Sequence, residues 1–282
     1  MDFAFVELKP GAKLPAGGFE ARGAIQKLWK SRNFETIVSG AAETGKTYGC
    51  LNYIHALLWK YPGAQGVMVR KTYTSLVGTA IQTYLRIIGN DERTRPRAFG
   101  GSKPEWFDYP NGSRLWVVGL DNPEKALSSE RDFAYVNQAE ELTESDWEVL
   151  TTRCTGRGAI MPYTRVIGDC NPGGPQHWII KRASMTVLHS VHEDNPTLFD
   201  AAGQITAQGV RTLAVLDQLT GARLQRLRYG KWVQAEGVVY ERWNQEIHVI
   251  DQRPIPRSWP RYWVIDFGYT NPTVWQAWAE DE

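Results

Sequence analysis

The sequence predicts an α/β fold in which a mainly parallel sheet is flanked by helices. Apolar strands alternate along the chain with segments whose apolar residues recur at helical spacing. A glycine-containing loop, Gly40 to Thr47, lies between the first clear strand and the first long helix. Strands that alternate with helices pair in parallel, and the helices cover the sheet. We therefore expect a helix-covered sheet, followed by a small helical subdomain.

Each predicted element is bounded by its apolar pattern or by turn residues. The helix after the loop, for example, carries Leu51, Ile54 and Leu58 at helical spacing and ends before Pro62-Gly63. The hairpin is indicated by the turn signal at 110–113. In order, the predicted elements are a helix at 23–29, strands at 36–38 and 66–70 with a helix at 46–60 between them, a helix at about 76–88, hairpin strands at 105–109 and 114–118, a strand at 133–136, a helix at about 146–153 and a strand at 165–168.

The pattern changes after Asn195-Pro196, where the residues to about Arg228 favour short helices and no strand. A proline-rich passage, 253–260, indicates a linker, and a new strand begins at 262–266. That strand would be an edge with no domain behind it, so we expect a longer protein that continues beyond Glu282. The predicted domains are therefore a core at 1–195, a helical and linker subdomain at 196–257, and the start of a further domain at 258–282.

The composition favours a soluble cytosolic protein. The chain of 282 residues is 42% hydrophobic and 22% charged, and no apolar run approaches the roughly 18 residues that a spanning helix needs. The first residues show no basic start followed by an apolar run, so no secretory signal is predicted. Cys50, Cys154 and Cys170 form no CxxC pair, which indicates small core residues. The net charge of +1 excludes a uniformly basic surface but allows a local basic patch.

A phosphate-binding P-loop pattern occupies Gly40-Ala41-Ala42-Glu43-Thr44-Gly45-Lys46-Thr47. Gly40 and Gly45 allow backbone N–H groups to face phosphate oxygens, and the following helix adds the positive end of its dipole. Lys46 would reach the β- and γ-phosphates, and the Thr47 hydroxyl would bind magnesium. The strand before the loop and the helix after it make a chance match improbable. We therefore predict a RecA-like P-loop ATPase with ATP and Mg²⁺ as ligands.

P-loop enzymes also need one carboxylate that holds magnesium and one that polarises the attacking water. Here the strand at 133–136 is followed by two amides, Asn137 and Gln138. Asn137 can accept a hydrogen bond from a magnesium-bound water, whereas Gln138 cannot act as a base. The predicted catalytic carboxylate is then Glu140 or Glu141. Both glutamates would also suit the N-terminus of the next helix, where acids are favoured by the helix dipole.

Together these motifs resemble the large terminase subunit of tailed bacteriophages, the ATPase that drives DNA into the empty capsid. Beyond the loop and the acidic turn, the resemblance depends on further segments in the same order: Ile167-Gly168-Asp169-Cys170-Asn171-Pro172-Gly173-Gly174, Tyr229-Gly230-Lys231-Trp232-Val233, Glu236-Gly237-Val238-Val239-Tyr240 and Val264-Ile265-Asp266-Phe267-Gly268. The ordered set covers nearly the whole chain, and it is the order that is specific.

The resemblance implies roles for further residues. Gln26 would contact adenine, although it could simply be an exposed helix residue. Asp169 and Asn171 would lie in the motif that couples hydrolysis to movement, although 171–173 could be an ordinary turn. Asp266 would be the first metal ligand of an RNase H-like nuclease domain that uses Mg²⁺ or Mn²⁺. Such cleavage needs several carboxylates from separate segments, so we expect nuclease activity only in the full-length protein.

The same resemblance implies partners and a location. They are double-stranded DNA, the portal protein and procapsid, and the small terminase subunit, with a homo-oligomeric ring on the capsid and a monomer in isolation. The location would be the host cytoplasm rather than the mature virion. Arg93, Arg95 and Arg97 could contact DNA phosphates, as could Arg223, Arg226 and Arg228, although charge runs are more often solvated faces.

A transition-state arginine is not supplied by the loop, whose variable positions carry none. Arg131, Arg153 and Arg157 are candidates for such an arginine finger, from the same chain or from a neighbouring subunit. Two rival functions stay open from the residues alone. The first is another DNA-dependent motor such as a helicase, and the second is a scaffold that grips ATP without hydrolysing it, which the amides at Asn137 and Gln138 suggest. A GTPase is disfavoured because no NKxD-type motif is present.

Overall fold

A computed structural model describes residues 19–89, 95–121, 129–234, 248–249, 251, 253–268 and 273–280. Contacts between Cα atoms divide the chain into two compact units, Met1–Glu236 and Gly237–Glu282. The first unit contains an eight-stranded sheet with helices on both faces. This architecture confirms the predicted α/β fold with a mainly parallel sheet.

The strand order in the sheet is β3-β4-β5-β2-β6-β7-β1-β8. The β3/β4 and β4/β5 pairs are antiparallel, and the other pairs are parallel. The first-unit strands are β1 (Glu35–Gly40), β2 (Gln65–Arg70), β3 (Arg97–Phe99), β4 (Trp106–Asp108), β5 (Arg114–Gly119), β6 (Phe133–Val136), β7 (Arg165–Cys170) and β8 (Thr186–Ser190). Strands β1, β6 and β7 are buried along their whole length, as strands covered by helices on both faces must be. Because parallel strands share a direction, the carboxyl ends of β1, β2, β6 and β7 meet at one edge of the sheet.

The helices bury apolar residues against the two faces of the sheet. They are α1 (Gly23–Lys30), α2 (Lys46–Lys60), α3 (Tyr73–Leu76), α4 (Gln82–Ile88), α5 (Glu144–Thr151), α6 (Trp178–Lys181), α7 (Ala207–Leu216) and α8 (Gly221–Arg223). A π-helical stretch joins α3 to α4, and a second one, Leu224–Arg228, continues α8. Helices α1, α2 and α4 pack on one face of the sheet, whereas α5 and α6 pack on the other. All three cysteines are buried and unpaired, which confirms that they are core residues.

The predicted helices and strands of the first unit are confirmed, with shifts of a few residues at their ends. Two strands were missed. Strand β8 mixes polar and apolar residues and is only partly buried at the sheet edge, so its pattern is weak. Strand β3 has three exposed residues and belongs to the charged passage that includes Arg95 and Arg97. Neither strand has the apolar run from which the others were predicted.

The region after 195 contains short helices and no strand among the described residues up to 234, as predicted, apart from a single bridge between Phe199 and Ile205. Its contacts place it within the same compact unit as the sheet. Arg22, just before α1, donates to the carbonyl oxygens of Phe199 and Asp200 at 3.0 and 3.1 Å. The predicted domain boundaries at 195 and 257 stay predictions.

The second unit has an antiparallel hairpin formed by β9 (Arg261–Asp266) and β10 (Val274–Ala279). The predicted strand at 262–266 is therefore not an isolated edge, because β10 pairs with it along its full length. The rings of Trp263 and Trp275 stack across the pair with centroids 4.8 Å apart. Within the described parts of both units, no helix combines the length and apolar character that a membrane crossing requires.

Candidate active site

The P-loop joins the carboxyl end of β1 to the amino end of α2. Gly45 precedes α2 with φ of 82°, and Glu43 has φ of 63°, so two loop residues adopt the left-handed backbone conformation before the helix begins. A Cβ atom at Gly40 would lie 2.2 Å from the Ser190 carbonyl oxygen, so only glycine allows β8 to approach there. Ala41, Ala42 and Thr44 complete the loop. This order of strand, loop and helix is the setting in which P-loop proteins bind phosphate.

Three contacts from outside the loop hold its backbone. The carbonyl oxygen of Ala42 lies 2.9 Å from His192 Nε2, and the carbonyl oxygen of Glu43 accepts from Asn195 Nδ2 at 2.7 Å. The Ala42 N–H donates to the carbonyl oxygen of Leu227 at 2.9 Å. Burial lowers the pKa of His192 from its ordinary 6.5. The loop is thus tied to two segments that follow the last strand of the sheet.

Lys46 is 7% exposed and turns back over the loop. Its Nζ donates to the carbonyl oxygens of Gly40 and Ala41 at 2.9 and 2.5 Å, and to Asn171 Oδ1 at 3.3 Å. Burial lowers the pKa of Lys46, while the negative charges of Asp169 and Glu140 oppose that shift. A triphosphate in the loop would offer this ammonium a stronger partner than two neutral carbonyls do.

Asp169, near the end of β7, contacts the loop directly. Its carboxylate accepts a hydrogen bond from the Thr47 hydroxyl through Oδ2. Its Oδ1 accepts from the Tyr135 hydroxyl at 2.9 Å, from Asn137 Nδ2 at 3.2 Å and from the Gln138 N–H at 3.3 Å. The sequence motif that we associated with coupling therefore lies against the residue predicted to bind magnesium.

The amides after β6 have different surroundings. Asn137 is 2% exposed and donates to Asp169, and its Oδ1 has no hydrogen-bond partner in the described structure. Gln138 has left-handed backbone geometry, with φ of 53° and ψ of 60°, and its side-chain oxygen accepts from Arg70. The side chain of Asn137 is thus held against Asp169, whereas that of Gln138 is directed to Arg70 at the end of β2.

Glu140 and Glu141 lie in one 3₁₀ turn but have different partners. Glu140 Oε1 accepts from the backbone N–H and from Nδ2 of Asn171 at 3.0 and 3.2 Å, and Oε2 is buried without a partner among the described residues. Burial raises the pKa of Glu140 to about 7. Glu141 instead accepts from Arg70 Nη2 at 2.7 Å and Nε at 3.0 Å. Of the two, Glu140 is the one linked to Lys46, through Asn171.

The structure does not bring the candidate finger arginines to this site. Arg131 precedes β6 and so lies at the amino ends of the parallel strands, whereas the P-loop lies at their carboxyl ends. Its backbone N–H donates to the Arg153 carbonyl oxygen at 2.8 Å. Its guanidinium lies 5.1 Å from the ring centre of Trp116. The Arg157 side chain is 88% exposed and lies 3.7 Å from Glu130 on the same edge. Within one chain, none of these three described residues reaches the P-loop.

Two other predicted residues lie away from the loop centre. Gln26 is exposed on α1, and its neighbour Ile25 packs where a Cβ atom at Gly49, in the first turn of α2, would stand. Helix α1 is therefore in contact with the start of the P-loop helix, and the adenine role of Gln26 stays a prediction. Asp266 ends β9 in the second unit. The described residues contain no group of three or more metal-ligating side chains.

Sequence reasoning missed Arg70, the residue that engages Glu141 and Gln138. Arg70 is 7% exposed and is the last residue of β2, beside the end of β6. Hydrogen bonding by Glu141 raises its pKa, so it stays charged. The signal was present, because a charged residue at the carboxyl end of a buried parallel strand lies at the edge where ligands bind. His192, Asn195 and His177 had no comparable signal, since their loops have no periodic pattern.

The sheet, the loop and the helix after it have the architecture of a P-loop fold, and solved structures share that fold. The large terminase of a thermophilic bacteriophage matches with a TM-score of 0.61 at 19% identity, over 93% of this chain and 65% of that one. The same terminase in complex with ADP gives 0.60 and 21%, over 92% and 65%. An ATPase-domain variant of the Thermus phage P74-26 large terminase gives 0.52 and 12%, over 76% of this chain and 95% of that one.

These matches confirm the predicted fold and its resemblance to the ATPase part of phage large terminases. The chain spans 65% of the length of the terminase from the thermophilic bacteriophage. No protein-family model matches the sequence, and no curated protein matches it either. The relationship is therefore one of fold.

Proposed function

We propose that this chain is the ATPase motor of a phage DNA-packaging machine, which hydrolyses ATP to move double-stranded DNA into a capsid. The observation that carries the proposal is the convergence of Lys46, Asn171 and Glu140 at the carboxyl edge of a P-loop sheet. Support for the motor assignment comes from the fold shared with phage large terminases, one of which is in complex with ADP.

In this mechanism the loop amides and Lys46 bind the phosphates, and Glu140 activates the attacking water. Its ionised carboxylate accepts the proton of a water positioned in line with the γ-phosphate. Asn171 holds Glu140 in that orientation through two hydrogen bonds. The Thr47 hydroxyl would bind the magnesium ion that accompanies ATP, and this ion neutralises charge on the phosphates. The arginine finger would come from a neighbouring subunit. Arg157 is the candidate, because its side chain is exposed and could reach the P-loop of the next subunit.

The proposal includes the partners of a packaging motor. They are double-stranded DNA, a portal-bearing procapsid and a small terminase subunit, with a homo-oligomeric ring as the active assembly in the host cytoplasm. The helical subdomain at 196–257 would move against the core at 1–195. Residues 258–282 would begin an RNase H-like nuclease domain that uses Mg²⁺ or Mn²⁺ in the full-length protein, with Asp266 as its first ligand.

A second candidate is a nucleotide-binding scaffold without hydrolysis, which Asn137 and Gln138 favour because the strand end carries no acid. Steady-state turnover of full-length protein with DNA and portal-bearing procapsids distinguishes the two functions. For the motor we expect ATP turnover that depends on DNA and procapsid. ATP binding without turnover in that complete system would support the scaffold instead.

The decisive variant is Lys46→Ala. Loss of the ammonium removes charge stabilisation of the triphosphate, so we expect turnover to fall by about two to three orders of magnitude or more. Lys60→Ala, at the exposed far end of the same helix, is the matched control and should leave turnover unchanged. Wild-type turnover in Lys46→Ala would contradict the assignment of the loop.

A further inference from the structure

The acid of this site lies on a different strand from the one where the sequence pattern leads us to look for it. After β6, where a magnesium-holding carboxylate is expected, the chain carries Asn137. The neighbouring strand β7 carries Asp169, and its carboxylate is in direct contact with the Thr47 hydroxyl. The pairing of β6 with β7 places both side chains at the same edge of the sheet.

We propose that Asp169 supplies the carboxylate of the magnesium–nucleotide site and that Asn137 orients it. The inference rests on the proposed binding of ATP, and it names the protein group that recognises the accompanying divalent cation. Magnesium binds one or two carboxylates together with phosphates and waters, so a single protein acid beside the P-loop hydroxyl is sufficient.

Asp169 is surrounded by hydrogen-bond donors. It is 2% exposed, and it accepts hydrogen bonds from Thr47, Tyr135, Asn137 and the Gln138 N–H. These four donors fix the direction of both carboxylate oxygens. The Thr47 hydroxyl donates its proton to Oδ2, which leaves the lone pairs of the hydroxyl oxygen to bind a cation. The carboxylate and the hydroxyl therefore lie together beside the phosphate loop.

Asn137 provides a second, independent observation. Its Nδ2 must face Asp169, because the opposite orientation would set its carbonyl oxygen against the carboxylate. That orientation leaves Oδ1 buried with no hydrogen-bond partner in the described structure. A buried acceptor of this kind costs free energy unless a donor arrives. A water bound to the cation would supply that donor.

Glu140 is not an equivalent candidate for this role. Its Oε1 is held by Asn171 at 3.0 and 3.2 Å, on the side where Lys46 contacts the same asparagine. Glu140 is therefore on the Lys46 side of the loop, whereas Asp169 contacts Thr47. The two carboxylates would serve different partners, with Glu140 at the attacking water and Asp169 at the cation.

The test measures the affinity of a fluorescent ATP analogue with Mg²⁺ and with EDTA. In the wild type we expect Mg²⁺ to tighten binding of the analogue. In Asp169→Asn we expect that enhancement to fall by at least about tenfold, because loss of a residue that holds a metal or its ligands lowers metal affinity by about that factor. The exchange variant Asn137→Asp/Asp169→Asn returns the acid to β6 and should recover the enhancement. Glu141→Gln is the control, because it makes the same carboxylate-to-amide change at a residue that is paired with Arg70. This variant should retain the Mg²⁺ enhancement.

Electron paramagnetic resonance of Mn²⁺ with the same analogue provides a readout apart from activity. Ternary-complex Mn²⁺ should be lost in Asp169→Asn and recovered in the exchange variant, with thermal melting used to confirm that each variant is folded. Full Mg²⁺ enhancement in folded Asp169→Asn would overturn the inference while ATP binding itself stands. An exchange variant that folds but does not recover would overturn the pairing with Asn137. A wild type that binds no ATP would instead defeat the proposed function.

Discussion

Glu140 and Glu141 are adjacent carboxylates with different surroundings, and burial raises the pKa of Glu140 to about 7. Its Oε1 is hydrogen-bonded by Asn171, and its Oε2 is buried without a partner in the described residues. Glu141, one residue later, forms a bidentate ion pair with Arg70. Both oxygens of Glu141 are therefore engaged by the guanidinium, whereas no arginine contacts Glu140 in the described residues. The difference comes from the direction in which the 3₁₀ turn projects the two side chains.

Glu140→Gln should therefore lower the turnover of ATP by about 10²- to 10⁴-fold, the range that a general base contributes. The amide keeps the hydrogen-bonding shape of the side chain but cannot accept the proton. Binding of ATP should be retained, because the loop and Lys46 are untouched. Glu141→Gln is the matched variant, and turnover measured under the same conditions should fall far less. Equal losses in the two variants would remove the assignment of Glu140.

The turnover of ATP should also fall at acidic pH. Burial raises the pKa of Glu140 from 4.5 to about 7, with Asp169 acting in the same direction and Lys46 opposing it. The base works when ionised, so turnover should fall about tenfold for each unit below pH 7 and level off above it. Burial lowers the pKa of the neighbouring His177 from its ordinary 6.5, so His177 becomes protonated at a lower pH than Glu140 does. A pH profile of kcat tests this prediction. In Glu140→Gln the fall of kcat below about pH 7 should disappear.

Spacing along the chain was sufficient to single out the residues of the loop and of the acidic turn. Lys46 and Thr47 follow from the loop pattern, and the glutamate pair follows from its place after a buried strand. What could not be predicted is which glutamate faces the loop, because that depends on Arg70, which is 71 positions away from Glu141. The contact of Asp169 with Thr47 has the same origin, a pairing between strands that are far apart in the chain.

At the scale of elements, the P-loop is connected to the acidic turn through the segment that follows α8. Leu227 accepts from the Ala42 N–H, and the Val233 N–H donates to the carbonyl oxygen of Gly173 at 3.1 Å. Between them, the ring of Trp232 lies 5.5 Å from the ring of His177. His177 Nε2 in turn lies 3.3 Å from the carbonyl oxygen of Glu140. A movement of this segment would therefore reach both the P-loop and Glu140.

Trp232→Ala tests that connection. Loss of the ring contact, worth about 0.5–1.5 kcal/mol for an aromatic pair, should loosen the turn that carries His177 and Glu140. We expect kcat for ATP to fall by about 2- to 10-fold, from the same energy, with the Kd for ATP unchanged. Trp259→Ala, in the second unit, is a control of the same residue type. An increase in Kd without a change in kcat would place Trp232 in nucleotide binding instead.

Elements of the first unit with strong periodicity were predicted closely, and its two missed strands share a physical cause. Strands β1, β2, β6 and β7 are buried on both faces, so burial dictates runs of apolar residues. Strands β8 and β3 lie at the two edges of the sheet, where half of the surface faces solvent or the strand is very short. Edge position is set by the assembled sheet and leaves little trace in a local window.

At the scale of the molecule, the parallel strand order concentrates the chemistry at one edge of the sheet. The residues at the carboxyl ends of β1, β2, β6 and β7 include Gly40, Arg70, Asn137 and Asp169. Arg131 and Arg157 lie at the amino ends of the strands, away from the P-loop. Neither could therefore serve as an arginine finger for the P-loop of its own chain. A ring would allow the exposed Arg157 of one subunit to approach the P-loop of the next. The buried Arg131 is instead held beneath Trp116 and is unsuited to that role.

DNA binding by the basic residues is the prediction that belongs to the whole molecule. Arg97 and Arg223 are exposed, whereas Arg226 donates to the Val233 carbonyl oxygen and Arg228 pairs with Asp217, so these last two have structural contacts. Arg93 lies outside the described residues. A sequence-indifferent motor binds phosphates, and each phosphate contact adds about 0.9 to the slope of log Kd against log salt concentration.

Neutralising Arg93, Arg95 and Arg97 to glutamine should therefore weaken binding of double-stranded DNA and lower that slope by up to about 3, since each lost phosphate contact removes about 0.9. The control replaces three exposed basic residues on the helices, Lys30, Lys60 and Arg86, by glutamine and changes the net charge equally. Fluorescence anisotropy with one duplex at a series of salt concentrations gives both slopes. If the two triple variants lose the same slope, net charge alone governs binding and the cluster has no special contact. A reduced slope only in the arginine variant would assign the phosphate contacts to that cluster, because equal net charge cancels every non-local contribution.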